Sequence, residues 1–204
     1  MLVPWSIRNA MVMDSQIALS ANMGYNLRIG HASYSNGRYL VPEDLWMEKP
    51  GISFKEREPL FNDLGAERAR SYALHHPVRE LALSGHKIVW LWRPDSDALV
   101  WVSTFGATPL AHGTRQPLRF ALDASYLSVL ALASIALFIG RSRRASIFVA
   151  TWIAFWTAIH IVFFGEPRYH LPMLVMIVPG AAAGSIDAVF ALRAAMSGDL
   201  VRPR

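Results

Sequence analysis

Three long apolar stretches in the second half of the chain most constrain its fold. They cover residues 124–140, 145–164 and 171–192. Each comes close to the ~20 residues that a helix needs to cross the hydrocarbon core of a bilayer. Backbone groups in lipid must form hydrogen bonds within their own segment, so helices are the expected conformation. The sequence therefore predicts a mainly α, helical integral membrane protein with three transmembrane helices.

The placement of arginines around these stretches predicts the orientation. Six lie on one side of the predicted spans, in the RSRR connection and at the C-terminal end: Arg141, Arg143, Arg144, Arg193, Arg202 and Arg204. Three lie on the other side: Arg115, Arg119 and Arg168. Because basic residues favour the cytoplasmic side, residues 1–120 are expected to form an extracytoplasmic head and residues 121–204 the membrane domain. The expected location is the plasma or inner membrane, with several passes.

The head contains two amphipathic stretches that predict helices. The first covers residues 63–76 and ends before Pro77, which can occupy the first turn of the second, PVRELALSGHKIVWLW. Trp90 and Trp92 suit a membrane–water boundary, so we expect helices that lie along the outer leaflet. The alternative is a small soluble domain with core tryptophans. Residues 103–117 are interpreted as a polar loop interrupted by glycine.

The start of the chain conflicts with this topology. About 120 residues with many basic side chains must cross the membrane, and MLVPWSIRN does not resemble a secretory leader. We therefore expect further transmembrane helices to precede Met1.

The third stretch contains Gly180 and Gly184 in a G-x-x-x-G pattern, which favours close helix packing, and Pro179 predicts a kink.

Four motifs occur in a characteristic order: PWSIRN, GYNLRIG, ALHHPVRELALSGHKIVWLW and EPRYHLPMLVMI. The set resembles bacterial glycosyltransferases of the GT-C superfamily, in the family 39 group related to protein O-mannosyltransferases and the lipid A aminoarabinose transferase. The resemblance covers the C-terminal part of such an enzyme. It implies transfer of a sugar from a polyprenyl-phosphate donor at the outer face of the membrane. The alternatives are a non-enzymatic membrane accessory protein and a gene fragment.

The resemblance supplies no catalytic residue. Members of the group carry their catalytic carboxylate in the first outward loop, which has no counterpart in this sequence. The acidic clusters of the head do not match that position and are interpreted as solvated loop charges: Glu43, Asp44, Asp95 and Asp97. Whether the chain acts as an enzyme is therefore left open, and we expect it to be inactive by itself.

Four residues are candidates for binding the lipid phosphate of the donor. They are Arg8 and Asn9 after the Pro-Trp segment, and Arg168 and Tyr169 before the third span. Guanidinium groups suit phosphate because they donate two hydrogen bonds in one plane. The alternative is that both arginines anchor the chain to lipid headgroups.

The GYNLRIG motif provides two further candidates. Tyr25 and Asn26 could contact the acceptor or the sugar. The motif is expected to shape the backbone, with Gly24 and Gly30 permitting turns and Asn26 bonding its own loop.

Neither a metal nor a cofactor is predicted. The chain has no cysteine, His75 and His76 are adjacent, and His160 is isolated in a predicted span, where a neutral imidazole is expected. The expected partners are membrane lipid, the polyprenyl-phosphate donor, and further transmembrane helices or a complete transferase. Nucleic acid is not expected, because the net charge of +5 is dispersed and flanks the membrane segments.

Overall fold

A computed structural model describes residues 3–13, 20, 22–48, 51–97, 99–100, 102, 111–139 and 143–197. All regular secondary structure in these ranges is helical, so the prediction of a mainly α fold is confirmed. The chain forms two compact units. The first comprises Met1–Leu91 and Ile159–Glu166, and the second comprises Trp92–Ala158 and Pro167–Arg204.

The first unit contains five helices along its N-terminal part. They are α1 (Val3–Met13), α2 (Met23–Gly30), α3 (Glu43–Trp46), α4 (Phe54–His75) and α5 (Pro77–Leu91). The predicted helices on either side of Pro77 are confirmed, with Pro77 as the first residue of α5. Helix α4 begins earlier than predicted because Ser53 and Glu56 form a capping box, which satisfies free N–H groups of its first turn.

Helices α2 and α4 cross at a distance that only glycine allows. A Cβ atom on Gly24 would overlap the carbonyl oxygen of Asn62, and one on Gly65 would overlap the carbonyl of Gly24. A Cβ atom on Gly30 would overlap the carbonyl oxygen of Phe163. The prediction that Gly24 and Gly30 form turns was wrong, because both residues lie in α2 and serve close backbone approach instead.

The second unit is built on long apolar helices. Helix α6 covers His112–Ile139, α7 begins at Arg143 and ends at Val162, and α8 covers Leu171–Ser197. Helix α6 packs against α8. Among the described side chains, these two helices bury Tyr126, Ala133, Met173, Ile177 and Ala181. Gly180 is not part of this contact, because a Cβ atom added to it would meet no described atom within 4 Å.

These three helices coincide with the predicted spans, with shifted ends. Helix α6 begins before residue 124, so the predicted loop was wrong for residues 112–117, whereas residues 103–110 lie outside the described ranges. Residue 120, the predicted domain boundary, lies within α6. Arg141 of the RSRR connection also lies outside the described ranges. Among the described residues, one helix, Gly113–Phe138, has the length and hydropathy to cross a membrane, and Ser146–Val162 is apolar but shorter.

Candidate functional site

Helix α5 turns charged side chains toward the interior of the first unit. Lys87 is completely buried, with 0% of its surface exposed, between Leu83 and Leu91 on the same helix face. Glu80, two turns earlier on that face, is largely buried as well. Charged side chains are almost never buried unless they are paired, so this face needs polar partners from the rest of the unit.

The partners include the last carbonyl groups of α7. Lys87 Nζ donates to the carbonyl oxygen of Ile161 at 2.9 Å. His31 Nε2 lies 2.6 Å from the carbonyl oxygen of Val162. The last carbonyls of a helix lack partners within the helix, and the negative end of the helix dipole attracts cations. Lys87 and His31 therefore cap the C-terminal end of α7.

Glu80 supplies the negative charge of this cluster. Its Oε2 lies 2.7 Å from His31 Nδ1. Both ring nitrogens of His31 thus lie within hydrogen-bond distance of oxygen atoms. Glu80 Oε1 is buried without a hydrogen-bond partner among the described residues. We name this arrangement of His31, Glu80 and Lys87 the capping cluster.

The capping cluster places Lys87 and His31 close together. Lys87 Nζ and His31 Nε2 are 3.5 Å apart. Burial lowers the pKa of Lys87 to about 8, and the nearby negative charge of Glu80 opposes this shift. The carboxylate of Glu80 therefore favours the charged form of the buried ammonium group.

A second set of bonds holds the segment that follows α7. Glu166 is buried, and its Oε1 accepts a hydrogen bond from the backbone N–H of Tyr39 at 3.1 Å. The N–H of Gly165 donates to the carbonyl of Gly37 at 2.8 Å. Gly37 has φ +91°, a conformation that favours glycine. The segment Ile159–Glu166 is thus held by the same part of the chain that carries His31.

Asp44 lies at the centre of a third polar arrangement. Its carboxylate accepts hydrogen bonds from Arg28 Nε (3.0 Å), Arg68 Nη1 (3.2 Å) and the hydroxyl of Tyr34 (2.8 Å). Burial alone would raise the pKa of Asp44, but the hydrogen bond from Tyr34 and the two arginines outweigh it and lower the pKa. The interpretation of Asp44 as a solvated loop charge was therefore wrong.

The other acidic residues of the head differ from Asp44. Glu43 is exposed, as expected for a solvated charge. Asp97 forms an ion pair with Arg93 at 3.8 Å within the second unit. The side chain of Asp95 lies outside the description.

The predicted phosphate ligands fall into both units. In the first unit, Arg8 lies over the ring of Trp5 at 5.2 Å and donates to Oδ1 of the buried Asn9 at 3.1 Å. In the second unit, Arg168 is exposed and lies over the ring of Tyr169 at 5.1 Å. Both arginines thus lie over aromatic rings, and their convergence on one phosphate stays a prediction.

Tyr25 and Asn26 lie on helix α2 and not in a loop. The ring of Tyr25 stacks on Phe61 with centroids 6.3 Å apart, and burial raises the pKa of its hydroxyl to about 12. The backbone N–H of Asn26 bonds to the carbonyl of Asn22 as part of the first helical turn. Contact of either side chain with a sugar or acceptor stays a prediction.

Sequence reasoning missed four polar residues of the first unit: His31, Glu80, Lys87 and Glu166. One signal was present. Leu83, Lys87 and Leu91 recur every four residues, so the lysine occupies a position where an amphipathic helix normally places an apolar residue. The bond from His31 to Val162 spans 131 residues and has no local signature.

The described residues contain no group of three or more histidine, aspartate or glutamate side chains placed to hold a metal ion. Comparison with protein-family models, with curated proteins and with solved structures finds no match to this chain.

Proposed function

We propose that this chain is the C-terminal part of a membrane glycosyltransferase of the GT-C type, which transfers a sugar from a polyprenyl-phosphate donor at the outer face of the membrane. The observation that carries the proposal is the meeting of three motifs in the first unit. His31 follows GYNLRIG, Lys87 lies in RELALSGHK, and Glu166 belongs to FFGEPRYH. These separate segments share the buried polar contacts described above.

The exposed surface of the second unit supports the membrane part of the proposal. Large apolar side chains point outward along α6, α7 and α8, with Phe138 88% exposed and Phe148 and Val175 also exposed. Soluble domains rarely leave large contiguous apolar surfaces in water. A bilayer would cover them, and the helical backbone would satisfy its own hydrogen bonds there.

The capping cluster has a clear role in such a protein. It holds the last residues of α7, the second proposed span, against His31 and Lys87 of the first unit. Further along the chain, the guanidinium of Arg168 would bind the phosphate, whose negative charge increases when the sugar leaves.

The experiment measures binding of polyprenyl phosphate to the chain in lipid nanodiscs, with Arg8→Lys and Arg168→Lys as variants. Loss of a charge-assisted, planar pair of hydrogen bonds is worth about 1.5–3 kcal/mol, so each change should weaken binding about tenfold to a hundredfold. Arg70→Lys is the matched control, because Arg70 is an exposed arginine on α4. Unchanged binding in both lysine variants would mean that the arginines only anchor the chain to lipid headgroups. It would contradict the proposed phosphate site.

The second candidate is a non-enzymatic membrane accessory protein. The engagement of the buried carboxylates by other groups of the first unit favours it. Asp44 is engaged by two arginines, Glu80 by His31, and Glu166 by the backbone of Tyr39. Each of these carboxylates thus has a structural partner within the first unit. We therefore expect no sugar transfer by the purified chain supplied with donor and acceptor. Turnover by the chain alone would contradict this and would favour a complete enzyme.

A further inference from the structure

Helix α5 carries apolar side chains on two faces. Its buried face carries Leu83 and Leu91 around Lys87, and its outward face also carries large apolar groups. Val78 is 83% exposed, Leu81 77% and Val89 64%. A surface helix of a soluble domain normally has one apolar stripe, which faces the core. Helix α5 therefore has a second apolar face that points outward.

The outward apolar side chains form one continuous stripe. The stripe consists of Val78, Leu81, Gly85, Ile88 and Val89. Its members are three or four residues apart, except for the adjacent Ile88 and Val89, so they lie on one side of the helix. Leu74, in the last turn of α4, is exposed as well. At the middle of the stripe, a Cβ atom on Gly85 would meet no described atom within 4 Å. We name Val78, Leu81, Gly85, Ile88 and Val89 the α5 stripe.

One edge of the α5 stripe carries basic side chains, with the permanent charge on Arg79. Arg79 and His86 follow Val78 and Gly85 in the sequence and are exposed along one edge. Arg79 is held in place by hydrogen bonds from Nη2 to the carbonyls of Ser33 (2.8 Å) and Ser35 (3.3 Å). Apolar groups bordered by basic ones match the boundary between acyl chains and phosphate headgroups.

We propose that the α5 stripe is inserted into the lipid of the outer leaflet, with Arg79 and His86 at the level of the phosphates. Lipid is the occupant that fits, because the stripe offers no polar group for a partner's hydrogen bonds and its edge carries the charge that complements phosphate. The proposal rests on the membrane part of the proposed function and adds a second, surface-lying contact to the helices that would span the bilayer.

The test uses single cysteines, since the chain has none of its own. Gly85→Cys is labelled with a small fluorophore in vesicles of phosphatidylcholine and phosphatidylglycerol that contain lipids with a doxyl quencher at a shallow acyl position. The open space around Gly85 lets the label enter without disturbing packing. We expect at least a twofold loss of fluorescence at Gly85. Glu67→Cys, an exposed carboxylate position on α4, is the control and should lose little.

A third label separates the two proposals. Leu127 lies exposed on α6, the helix with the strongest spanning character, so Leu127→Cys should be quenched if the chain enters the bilayer. Quenching at Leu127 without quenching at Gly85 overturns the α5 proposal and leaves the membrane placement intact. Absence of quenching at both positions contradicts both. Equal quenching at Gly85 and Glu67 also overturns the α5 proposal, because the contact would not be specific to this face.

Discussion

Lys87 on helix α5 donates a hydrogen bond to the carbonyl oxygen of Ile161, 74 residues away in the sequence. The bond joins a fully buried ammonium group to the end of a helix whose last carbonyls would otherwise lack partners. His31 Nε2 lies within hydrogen-bond distance of the carbonyl oxygen of Val162, so two side chains from separate segments meet at one helix end. A buried ammonium group needs a nearby negative charge, and the carboxylate of Glu80 provides it.

The first prediction concerns this counter-charge. Glu80→Gln keeps the size of the side chain but removes the negative charge near the buried ammonium group of Lys87. Removal of one partner from a buried ionic group is strongly destabilising, and here we expect a loss of about 2–3 kcal/mol in the free energy of unfolding. Denaturant titration in detergent micelles measures it. Glu67→Gln on the exposed face of α4 is the control and should change stability by less than about 0.5 kcal/mol.

A double variant tests whether the loss arises from charge. Lys87→Met in the Glu80→Gln background removes the buried ammonium group. If its uncompensated charge is the cause, the double variant should be more stable than Glu80→Gln alone, and the two changes should be strongly non-additive. Additive losses would mean that Glu80 and Lys87 stabilise the unit independently.

The second prediction follows from the pKa of Lys87, which burial lowers from 10.5 to about 8. Above pH 8 the folded chain has released this proton, whereas the unfolded chain keeps it up to about pH 10.5. The unfolded state then binds more protons, so the free energy of unfolding should rise with pH in this window. Between pH 7.5 and 9.5 we expect a gain of about 2 kcal/mol from Lys87.

The measurement compares the parent chain with Lys87→Met over the same pH range. Other titrating groups contribute to both proteins, so the difference in slope isolates Lys87. The parent should gain stability relative to the variant as the pH rises. Parallel curves would show that Lys87 keeps an ordinary pKa and that its burial does not disfavour the charged form.

The sequence predicts some parts of this fold well and others poorly, for physical reasons. Helix α5 begins at Pro77 as expected, because a proline fits the first turn and acts locally. The GYNLRIG motif was misread as a turn because glycine serves both turns and close helix crossings, and only the neighbouring helix decides between them. The pairing of Asp44 with both Arg28 and Arg68 is likewise a tertiary property without a local pattern.

The third prediction compares two helical glycines, one with backbone atoms close to its Cα and one with open space around it. Gly30→Ala would drive a methyl group into the carbonyl oxygen of Phe163, next to the capping cluster. Overpacking of this kind costs about 1–3 kcal/mol or more, and here the obstacle is backbone. Gly85→Ala is the matched control in α5, where no described atom lies within 4 Å. It should be neutral or stabilising by up to about 1 kcal/mol, since alanine favours helix.

Thermal unfolding in detergent distinguishes the two variants. A lowered midpoint for Gly30→Ala with an unchanged or raised midpoint for Gly85→Ala is the expected result. Equal midpoints would mean that the approach of Gly30 to Phe163 is not tight in the folded protein.

The last prediction concerns the orientation in the membrane. The arginine asymmetry places residues 1–120 outside and the RSRR connection in the cytoplasm. Ser33 is an exposed position in the head, whereas its neighbour Ser35 is buried and would react poorly. We therefore expect Ser33→Cys to react with a membrane-impermeant maleimide in intact cells, and Ser142→Cys to react only after the membrane is permeabilised. Equal reaction of both in permeabilised cells is the control for accessibility. Labelling of Ser142→Cys with protection of Ser33→Cys in intact cells would reverse the orientation and place the capping cluster, with the proposed phosphate site, on the cytoplasmic side.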